Sequence, residues 1–349
     1  MANSNHKNNL DSARKNKNDE FYTSMEVIEQ ELKYHKKSFR NKVVFCNCDD
    51  PYESNFFKYF CLNFNVLKLK QLICTCYGGS KISGTQLTLF DDEQDKPLEE
   101  RNGYMLIIDK VKDLDGDGAV TMNDIQMILK NKKTGPKKLK GDGDFRSEEC
   151  IELLKNSDIV CSNPPFSLWR PYLEQLIKYD KKFLIIGNIN ATCYKEVFPL
   201  IQNNRLWLGA SIHSGDREFR VPDDYPLKAA GCRVDENGNK YIRVKGVRWF
   251  TNLDYKERHD TIPLYKKYDP EAYPKYDNCD AINVDKTNEI PEDYDGLMGV
   301  PITFLDKYNS EQFEIVRFRK GDDGKDLLVK GKSPYFRILI RKAAHDRSL

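Results

Sequence analysis

The chain has 349 residues, with 56 basic and 54 acidic side chains that give a formal net charge of +2. This length accommodates one large domain, or a catalytic domain together with a recognition lobe. The balanced charge neither indicates nor excludes a nucleic-acid partner, so any basic surface has to come from local clustering.

The composition argues against several protein classes. No apolar run approaches the roughly 20 residues of a membrane span, and the polar N-terminal segment lacks the pattern of a signal peptide. The ten cysteines include no Cys-x-x-Cys pair and there are only five histidines, so a structural zinc site is not expected. The expected setting is a reducing cytoplasm with free thiols.

Residues 1–18 are rich in Asn, Lys and Ser, and this composition predicts a disordered tail in the free protein. Such a tail is either a solubilising extension or a basic arm that contacts phosphates. The sequence favours neither interpretation.

From residue 19 to 209, continuous apolar strands alternate with helices. Strands are predicted at 42–48, 71–77, 104–111, 158–162, 182–187 and 206–208. A first helix is predicted after residues 19–23 and continues through residue 34. Further helices are predicted around 56–60 and at 147–156, 168–179 and 194–203. This alternation predicts an α/β fold with a doubly wound, mainly parallel sheet. In such sheets, ligands bind beyond the carboxyl ends of the strands.

The segment 210–349 is different, because its elements are shorter and richer in Pro, Tyr and charge. It predicts a separate region of mixed structure. Its basic and aromatic side chains either line a nucleic-acid groove or belong to an ordinary solvated surface. They are Arg217, Arg220, Arg243, Lys245, Arg248, Trp249, Arg317, Arg319 and Lys320.

The tetrapeptide Asn163-Pro164-Pro165-Phe166 directly follows the predicted strand 158–162. The two prolines supply no N–H donors and stiffen the turn, so the neighbouring carbonyls and the Asn163 side-chain oxygen become fixed acceptors. Phe166 offers a flat face on which a base can stack. The pattern favours a site that holds a planar amino group for methylation, and the alternative is a Pro-rich turn with a solvent-facing Asn.

Two other polar turns lie at the same predicted edge of the sheet. Asp49-Asp50-Pro51 follows the first strand, and Asp144-Phe145 ends a glycine-aspartate run that begins at Gly141. Each of these turns, taken alone, is also compatible with an ordinary acidic or glycine-rich turn.

Together these segments resemble the EcoRI-type adenine-specific DNA methyltransferase family. The resemblance covers nearly the whole chain except the tail and about 78–140. The matching stretches are 19–23, 44–51, 54–60, 141–147, 163–168, 181–188, 273–278, 299–305 and 334–340.

The resemblance implies methyl transfer from S-adenosylmethionine to N6 of an adenine that is flipped out of duplex DNA. Asn163 and the Pro164 carbonyl would accept both amino hydrogens, and alignment would then do most of the catalysis without a strong base. Pro165 completes the rigid turn, and Phe166 would stack on the base.

The resemblance also implies a cofactor site. Its residues would be Phe21, Tyr22 and Thr23 as one wall, Asp49, Asp50 and Pro51 after the first strand, and Asp144 and Phe145 beside the adenosyl ring. The Gly-rich loop usual in methyltransferases is absent, and no acidic residue closes the second strand at Cys76-Tyr77. The residue that holds the cofactor ribose is therefore not predicted.

The implied organisation is a basic tail at 1–18, a catalytic domain at 19–209 and a target-recognition region at 210–349. The protein is expected to act as a monomer on double-stranded DNA. The sequence leaves open whether a cognate restriction endonuclease acts on the same site.

Residues 113–124 match the template of a calcium-binding loop, as in EF-hands and dockerin repeats. The ligands would be Asp113, Asp115, Asp117, the Ala119 carbonyl and Asp124. The loop lies in an insertion at about 78–140, and the alternative is an Asp/Gly turn that caps a helix. A calcium ion here would be structural, since methyl transfer from a sulfonium needs no metal.

Two other functions remain open at this point. One is methylation of another planar nitrogen, in RNA or in a protein glutamine. The other is a catalytically silent, calcium-dependent binding module.

Overall fold

We describe the protein from a computed structural model, which covers residues 22–78, 102–221, 225, 231–319, 327–334 and 336–343. The predicted tail, Phe21, Lys320 and part of the predicted insertion lie outside the described residues. The helices are α1 Met25–His35, α2 Asn55–Leu62, α3 Phe64–Leu67, α4 Met122–Lys130, α5 Glu148–Asn156, α6 Trp169–Lys178 and α7 Phe198–Gln202.

The strands are short, and apolar runs in the sequence predict six of them. They are β1 Val43–Asn47, β2 Gln71–Cys76, β3 Tyr104–Ile108, β4 Lys137–Lys138, β5 Ile159–Ser162, β6 Lys182–Asn188, β7 Trp207–Leu208, β8 Asp216–Val221, β9 Arg233–Val234, β10 Lys240–Lys245, β11 Val247–Thr251, β12 Lys275–Tyr276, β13 Cys279–Asn283, β14 Leu297–Pro301, β15 Phe313–Arg319 and β16 Arg337–Lys342.

The chain divides into two compact units, and the first comprises Met1–Asn188 and Ser214–Leu253. In its described part, the strands of the main sheet follow the order β4-β3-β2-β1-β5-β6-β11. The central strands β2, β1, β5 and β6 are parallel, and β3, β4 and β11 add antiparallel strands at the flanks. The chain winds from β1 to β2 in one direction and from β5 to β6 in the other. The predicted α/β fold with a doubly wound sheet is therefore confirmed, but the sheet is mixed, because three of these six strand pairings are antiparallel.

The central strands are parallel because helices connect them, and they are apolar along their whole length because both faces are covered. All five residues of β1 are buried, and so is every residue of β5. Helix α2 packs its phenylalanines inward, where the ring of Phe56 meets Trp249 edge-on at a centroid distance of 5.8 Å. Ser54 caps this helix by accepting from the amides of Phe56 and Phe57.

Residues 214–253 join the first unit, so the compact units do not divide at 209/210. The reason is β11, which pairs antiparallel with β6 from Val247 opposite Asn188 to Thr251 opposite Leu184. Trp249 and Arg248 lie on this buried strand with 0% and 4% exposure. They belong to the interior of the unit and do not line an exposed groove.

The second unit comprises Ile189–His213 and Asp254–Leu349. Its described part contains a sheet with the order β12-β13-β14-β16-β15, in which only the β13–β14 pair is parallel. The helix predicted at 194–203 is shorter in the structure and begins at Phe198, with Pro199 in its first turn. A polar cluster also lies in this unit, where the guanidinium of Arg337 donates to Asn283 and Asp285.

No helix in the described ranges is both long enough and apolar enough to cross a membrane.

Candidate active site

The carboxyl ends of β1, β2, β5 and β6 meet at one edge of the sheet because these strands are parallel. The winding direction reverses between β1 and β5, which makes their ends the topological switch point where such folds bind ligands. Asn47 ends β1 and Ser162 ends β5. The predicted turns after these two strands therefore lie side by side.

Asp49 joins the two strand ends. Its Oδ2 accepts a hydrogen bond from the Ser162 hydroxyl at 2.6 Å, and its Oδ1 accepts from the Ser54 hydroxyl at 2.7 Å. The Ser162 hydroxyl also contacts the main-chain oxygen of Asn47. One carboxylate thus fixes the end of β1, the end of β5 and the start of α2.

Both acidic residues after β1 are buried, with 6% exposure each. Burial raises the pKa of Asp49 to about 7, although the hydroxyls of Ser162 and Ser54 oppose this shift. Burial also raises the pKa of Asp50 to about 6, against the stabilising effect of the Tyr104 hydroxyl and the Tyr52 amide. Pro51 is buried in the same turn. Neither carboxyl is therefore fully ionised at neutral pH.

The turn Asn163–Phe166 is fixed on both sides. Before it, Ser162 is bound to Asp49. After it, the chain enters a 3₁₀ turn in which Leu168 N donates to Pro165 O at 2.9 Å, and Trp169 Nε1 donates to Ile186 O at 2.9 Å. Asn163 is partly exposed, whereas Pro164, Pro165 and Phe166 are buried.

Gly187 on β6 allows the tryptophan after this turn to approach the sheet. A Cβ atom at Gly187 would lie 2.6 Å from Trp169 Nε1. This distance is shorter than any ordinary carbon contact, so a larger residue would push the start of α6 away from the sheet.

Thr23 lies against the start of α2, since Asn55 Nδ2 donates to its main-chain oxygen at 2.7 Å. The Thr23 side chain is buried, and its Oγ1 finds no hydrogen-bond partner among the residues that the structure describes. Tyr22 lies near the same turn. Its burial and the nearby carboxylates of Glu53 and Asp50 raise its pKa. A buried hydroxyl without a protein partner is available to a bound group.

The loop 141–145 lies at the end of β2. Gly78 N donates to Asp142 O at 2.7 Å, and a Cβ atom at Gly143 would lie 2.4 Å from Cys76 O. Gly143 has a φ of 79°, which also favours glycine. Three of the four parallel strands therefore end beside a predicted turn.

The carboxylate of Asp144 is engaged by a neighbouring arginine. Arg146 Nε donates to Oδ1 at 2.8 Å and Arg146 NH2 donates to Oδ2 at 2.5 Å, and this pairing lowers the pKa of Asp144. Phe145 is 4% exposed and packs edge-on against Tyr172 at 5.2 Å. A ligand amino group at Asp144 would have to share the carboxylate with Arg146.

Several polar residues that join these segments were not singled out by the sequence. The Tyr172 hydroxyl donates to Asn47 Oδ1, which connects α6 and Phe145 to the end of β1. Ser54 and Ser162 bind Asp49 from either side. The only sequence signals were the position of Ser54 as a helix cap and that of Ser162 immediately before Asn163.

The predicted calcium loop is only partly assembled. Carboxylate oxygens of Asp113, Asp115 and Asp117 lie within 4.8 Å of one another on an exposed surface. Asp124 instead accepts from the amides of Leu114 at 2.5 Å and Thr121 at 2.7 Å, which completes the capping box of α4. Ala119 N donates to Asp117 Oδ1 at 2.9 Å. The structure therefore shows the helix-capping arrangement of this loop.

A family model described as "Adenine-specific methyltransferase EcoRI" matches residues 9–343. The chain belongs to this family. It is 50% identical over 334 residues to the Type II methyltransferase M.EcoRI of Escherichia coli, which covers 95% of each chain. It is also 35% identical to M.MgeORF184P of Mycoplasma genitalium and 33% identical to M.MpnI of Mycoplasma pneumoniae, both named Type II methyltransferases. These matches cover 95% of this chain and 97% of each relative.

The protein is therefore an adenine-specific DNA methyltransferase of the restriction-modification type that uses S-adenosylmethionine. The resemblance seen in the sequence is confirmed.

Replacement of Asp49 by Asn is expected to flatten the dependence of stability on pH. The raised pKa means that the folded protein binds more protons than the unfolded chain between about pH 4 and 7. This carboxyl therefore makes the free energy of unfolding fall as the pH rises through that window, by an amount on the order of a few kcal/mol. Urea unfolding measured from pH 5 to 8 checks the slope.

The exposed Glu152→Gln variant is the control for loss of one carboxylate, and its pH profile should match that of the parent protein. An Asp49→Asn profile with the slope of the parent protein would contradict the assignment.

Proposed function

We propose that this enzyme methylates N6 of an adenine flipped out of duplex DNA and that Asn163–Phe166 holds the target base. The observation that carries this proposal is the hydrogen bond from Ser162 to Asp49. It fixes the residue before Asn163 at the switch point of the sheet, where the fold binds its ligands.

The adenine amino nitrogen is a poor nucleophile because its lone pair is delocalised into the ring. The Asn163 side-chain oxygen and the Pro164 carbonyl are acceptors for its two hydrogens, which favours a pyramidal nitrogen. Pro164 and Pro165 carry no N–H groups that would compete for these acceptors. Alignment by preorganised dipoles then replaces a general base, and S-adenosylmethionine supplies the electrophilic methyl group.

Stacking of the target base on Phe166 requires a structural change around this ring. Its ring is only 6% exposed, so a base that stacks on it must displace the atoms that now cover it. We propose that entry of the target adenine exposes this ring, as base flipping into a pocket commonly involves stacking on an aromatic side chain.

For the cofactor, we propose a site bounded by Tyr22, Thr23, Asp50 with Pro51, and the loop that contains Asp144 and Phe145. The partnerless Thr23 hydroxyl and the loop packed against the end of β2 support this placement. The Arg146 ion pair favours a role of Asp144 in holding the loop.

Asp49 has a different proposed role. Both of its oxygens are bound to Ser54 and Ser162, and it is 6% exposed. We propose that Asp49 positions the Asn163 turn and does not contact the cofactor, although the resemblance had implied a cofactor role.

The second unit is proposed to contribute target recognition, because the family match continues to residue 343 and so includes it. A cognate restriction endonuclease is proposed as the partner that acts on the same DNA site, since the relatives are named Type II methyltransferases. The working form is proposed to be a monomer, which light scattering of the purified protein would check.

Unmethylated DNA incubated with the protein and S-adenosylmethionine is expected to acquire N6-methyladenine at one short motif, as read by single-molecule sequencing.

Asn163→Ala is expected to abolish this mark while leaving cofactor affinity within a few-fold, because only the amino-group acceptor is lost. The exposed neighbour Ser167→Ala serves as the control. Full turnover of Asn163→Ala would remove the active-site assignment, and a mark on RNA or protein glutamine alone would redirect the substrate class.

Asp49 and Thr23 are expected to affect different steps. Asp49→Asn should lower kcat with cofactor affinity nearly unchanged, because it loosens the turn that holds the base. Thr23→Val should weaken cofactor binding by about 3- to 10-fold, the effect of one hydrogen bond, with little change in stability. Titration calorimetry and steady-state kinetics separate the two, and the reverse pattern would exchange the proposed roles.

We also propose that the 113–124 loop binds calcium as a structural ion. Asp113→Ala combined with Asp117→Ala should then lower thermal stability more in calcium than in chelator, because a ligand bound to the folded state stabilises it by mass action. A single surface change, Glu152→Ala, is the control. Equal losses in both buffers would show that these carboxylates act only through their hydrogen bonds to the loop amides.

A further inference from the structure

Strands β8, β10 and β9 form a separate antiparallel sheet within the first unit. Residues directly opposite each other in such a sheet share a face. Tyr22 bridges to Arg220, Arg220 lies opposite Tyr241, and Tyr241 lies opposite Arg233. These four side chains therefore form one row across the sheet, which we call the Tyr-Arg ladder.

The arginines of the Tyr-Arg ladder pack on its tyrosines. The guanidinium of Arg233 lies 4.2 Å from the centroid of the Tyr241 ring, and that of Arg220 lies 5.8 Å from the centroid of Tyr22. Arg220 and Arg233 are exposed. A guanidinium held over a ring is preoriented. Nε and NH2 of Arg233 donate to the Glu218 carboxylate, so Arg233 offers only its remaining N–H groups to a ligand.

Further basic residues extend this face. Arg243 and Lys245 follow Tyr241 at two-residue spacing on β10, so they share its face, and both are exposed. The opposing acidic residues are Glu218 and Asp216. Glu218 is already paired with Arg233 at 2.8 Å, and Asp235 accepts a hydrogen bond from the Tyr241 hydroxyl at 3.2 Å. The basic side chains Arg220, Arg233, Arg243 and Lys245 therefore outnumber these three acidic side chains by one.

This face is attached to the candidate active site at two points. Tyr22 N donates to Arg220 O at 3.0 Å, and Tyr22 lies close enough to Asp50 and Glu53 for their charges to raise its pKa. At the other end, Asn188 Nδ2 donates to Lys245 O at 2.7 Å, and Asn188 ends β6. These two hydrogen bonds attach the sheet to residues at the carboxyl edge of the main sheet.

We propose that the arginines of the Tyr-Arg ladder, with Arg243 and Lys245, bind backbone phosphates of the substrate DNA beside the target adenine. The inference rests on the proposed function for the identity of the polymer. Guanidinium groups pair with phosphate oxygens in a bidentate manner. Such contacts position the DNA and do not read its sequence.

The test is DNA binding by the double variant Arg243→Ala with Lys245→Ala, which spares the tyrosine contacts. Binding of a mixed-sequence DNA duplex is measured by fluorescence anisotropy over a range of salt concentrations. Affinity at low salt should fall roughly tenfold, and the slope of log K against log salt should decrease by about 1.8, for two phosphate contacts. Arg220→Ala should add to this loss.

A matched control exists at the opposite edge of the main sheet. Arg40 and Lys42 are also an exposed Arg and Lys at two-residue spacing, and they precede β1. Arg40→Ala with Lys42→Ala should leave the affinity and the salt slope close to those of the parent protein. An equal effect of both double variants would overturn the proposal, because it would then reflect net charge alone.

Two other results would also overturn it. A loss of S-adenosylmethionine affinity in calorimetry with unchanged DNA binding would assign the face to the cofactor. A loss of binding to an RNA duplex, with DNA binding intact, would assign it to another polymer. The anisotropy test measures DNA affinity, whereas the Asn163→Ala test measures methyl transfer, so a failure of the catalytic assignment is distinguishable from a failure of this surface.

Discussion

The hydrogen bond between Asp49 and Ser162 is the constraint on which the carboxyl edge of the sheet and the proposed catalytic turn depend. Strands β1 and β5 pair directly at only Val44 with Ile159 and Phe45 with Val160. Beyond these pairs, side chains must hold the two strand ends together. Asp49 does so at the cost of burying a carboxyl group, and its raised pKa is the measure of that cost. The same bond fixes the residue that precedes Asn163.

The remaining segments of the site are attached to this centre by a small number of polar contacts. Asn55 holds Thr23, and Tyr172 connects Asn47 with Phe145. Gly143 and Gly187 allow main chain and indole to approach where a side chain would collide. The site thus consists of rigid strand ends and capped helices, and rigid support is what alignment-based catalysis requires.

The sequence predicted the central strands because continuous apolar runs identify strands buried on both faces, and it placed Asn163–Phe166 at a strand end for the same reason. It did not predict that β11 returns to the sheet beside β6, because that pairing depends on contacts about 60 residues apart. It also did not assign a positioning role to Asp49, whose partner Ser162 is 113 residues away. Local patterns therefore identified the elements and the turns, whereas the partners of individual polar groups required the tertiary structure.

A methyltransferase with a formal net charge of only +2 must still attract a polyanion to an edge that carries several acidic residues. Two features reduce this repulsion. Burial raises the pKa values of Asp49 and Asp50 to about 7 and about 6, so the pair carries less than two negative charges at neutral pH. Asp144 is ionised, but Arg146 compensates its charge. With the acidic residues of the edge partly neutralised, a modest excess of arginine and lysine on the adjoining sheet would favour the phosphate contacts proposed for it. For this reason, the distribution of charge in the first unit is more informative about DNA binding than the net charge of the chain.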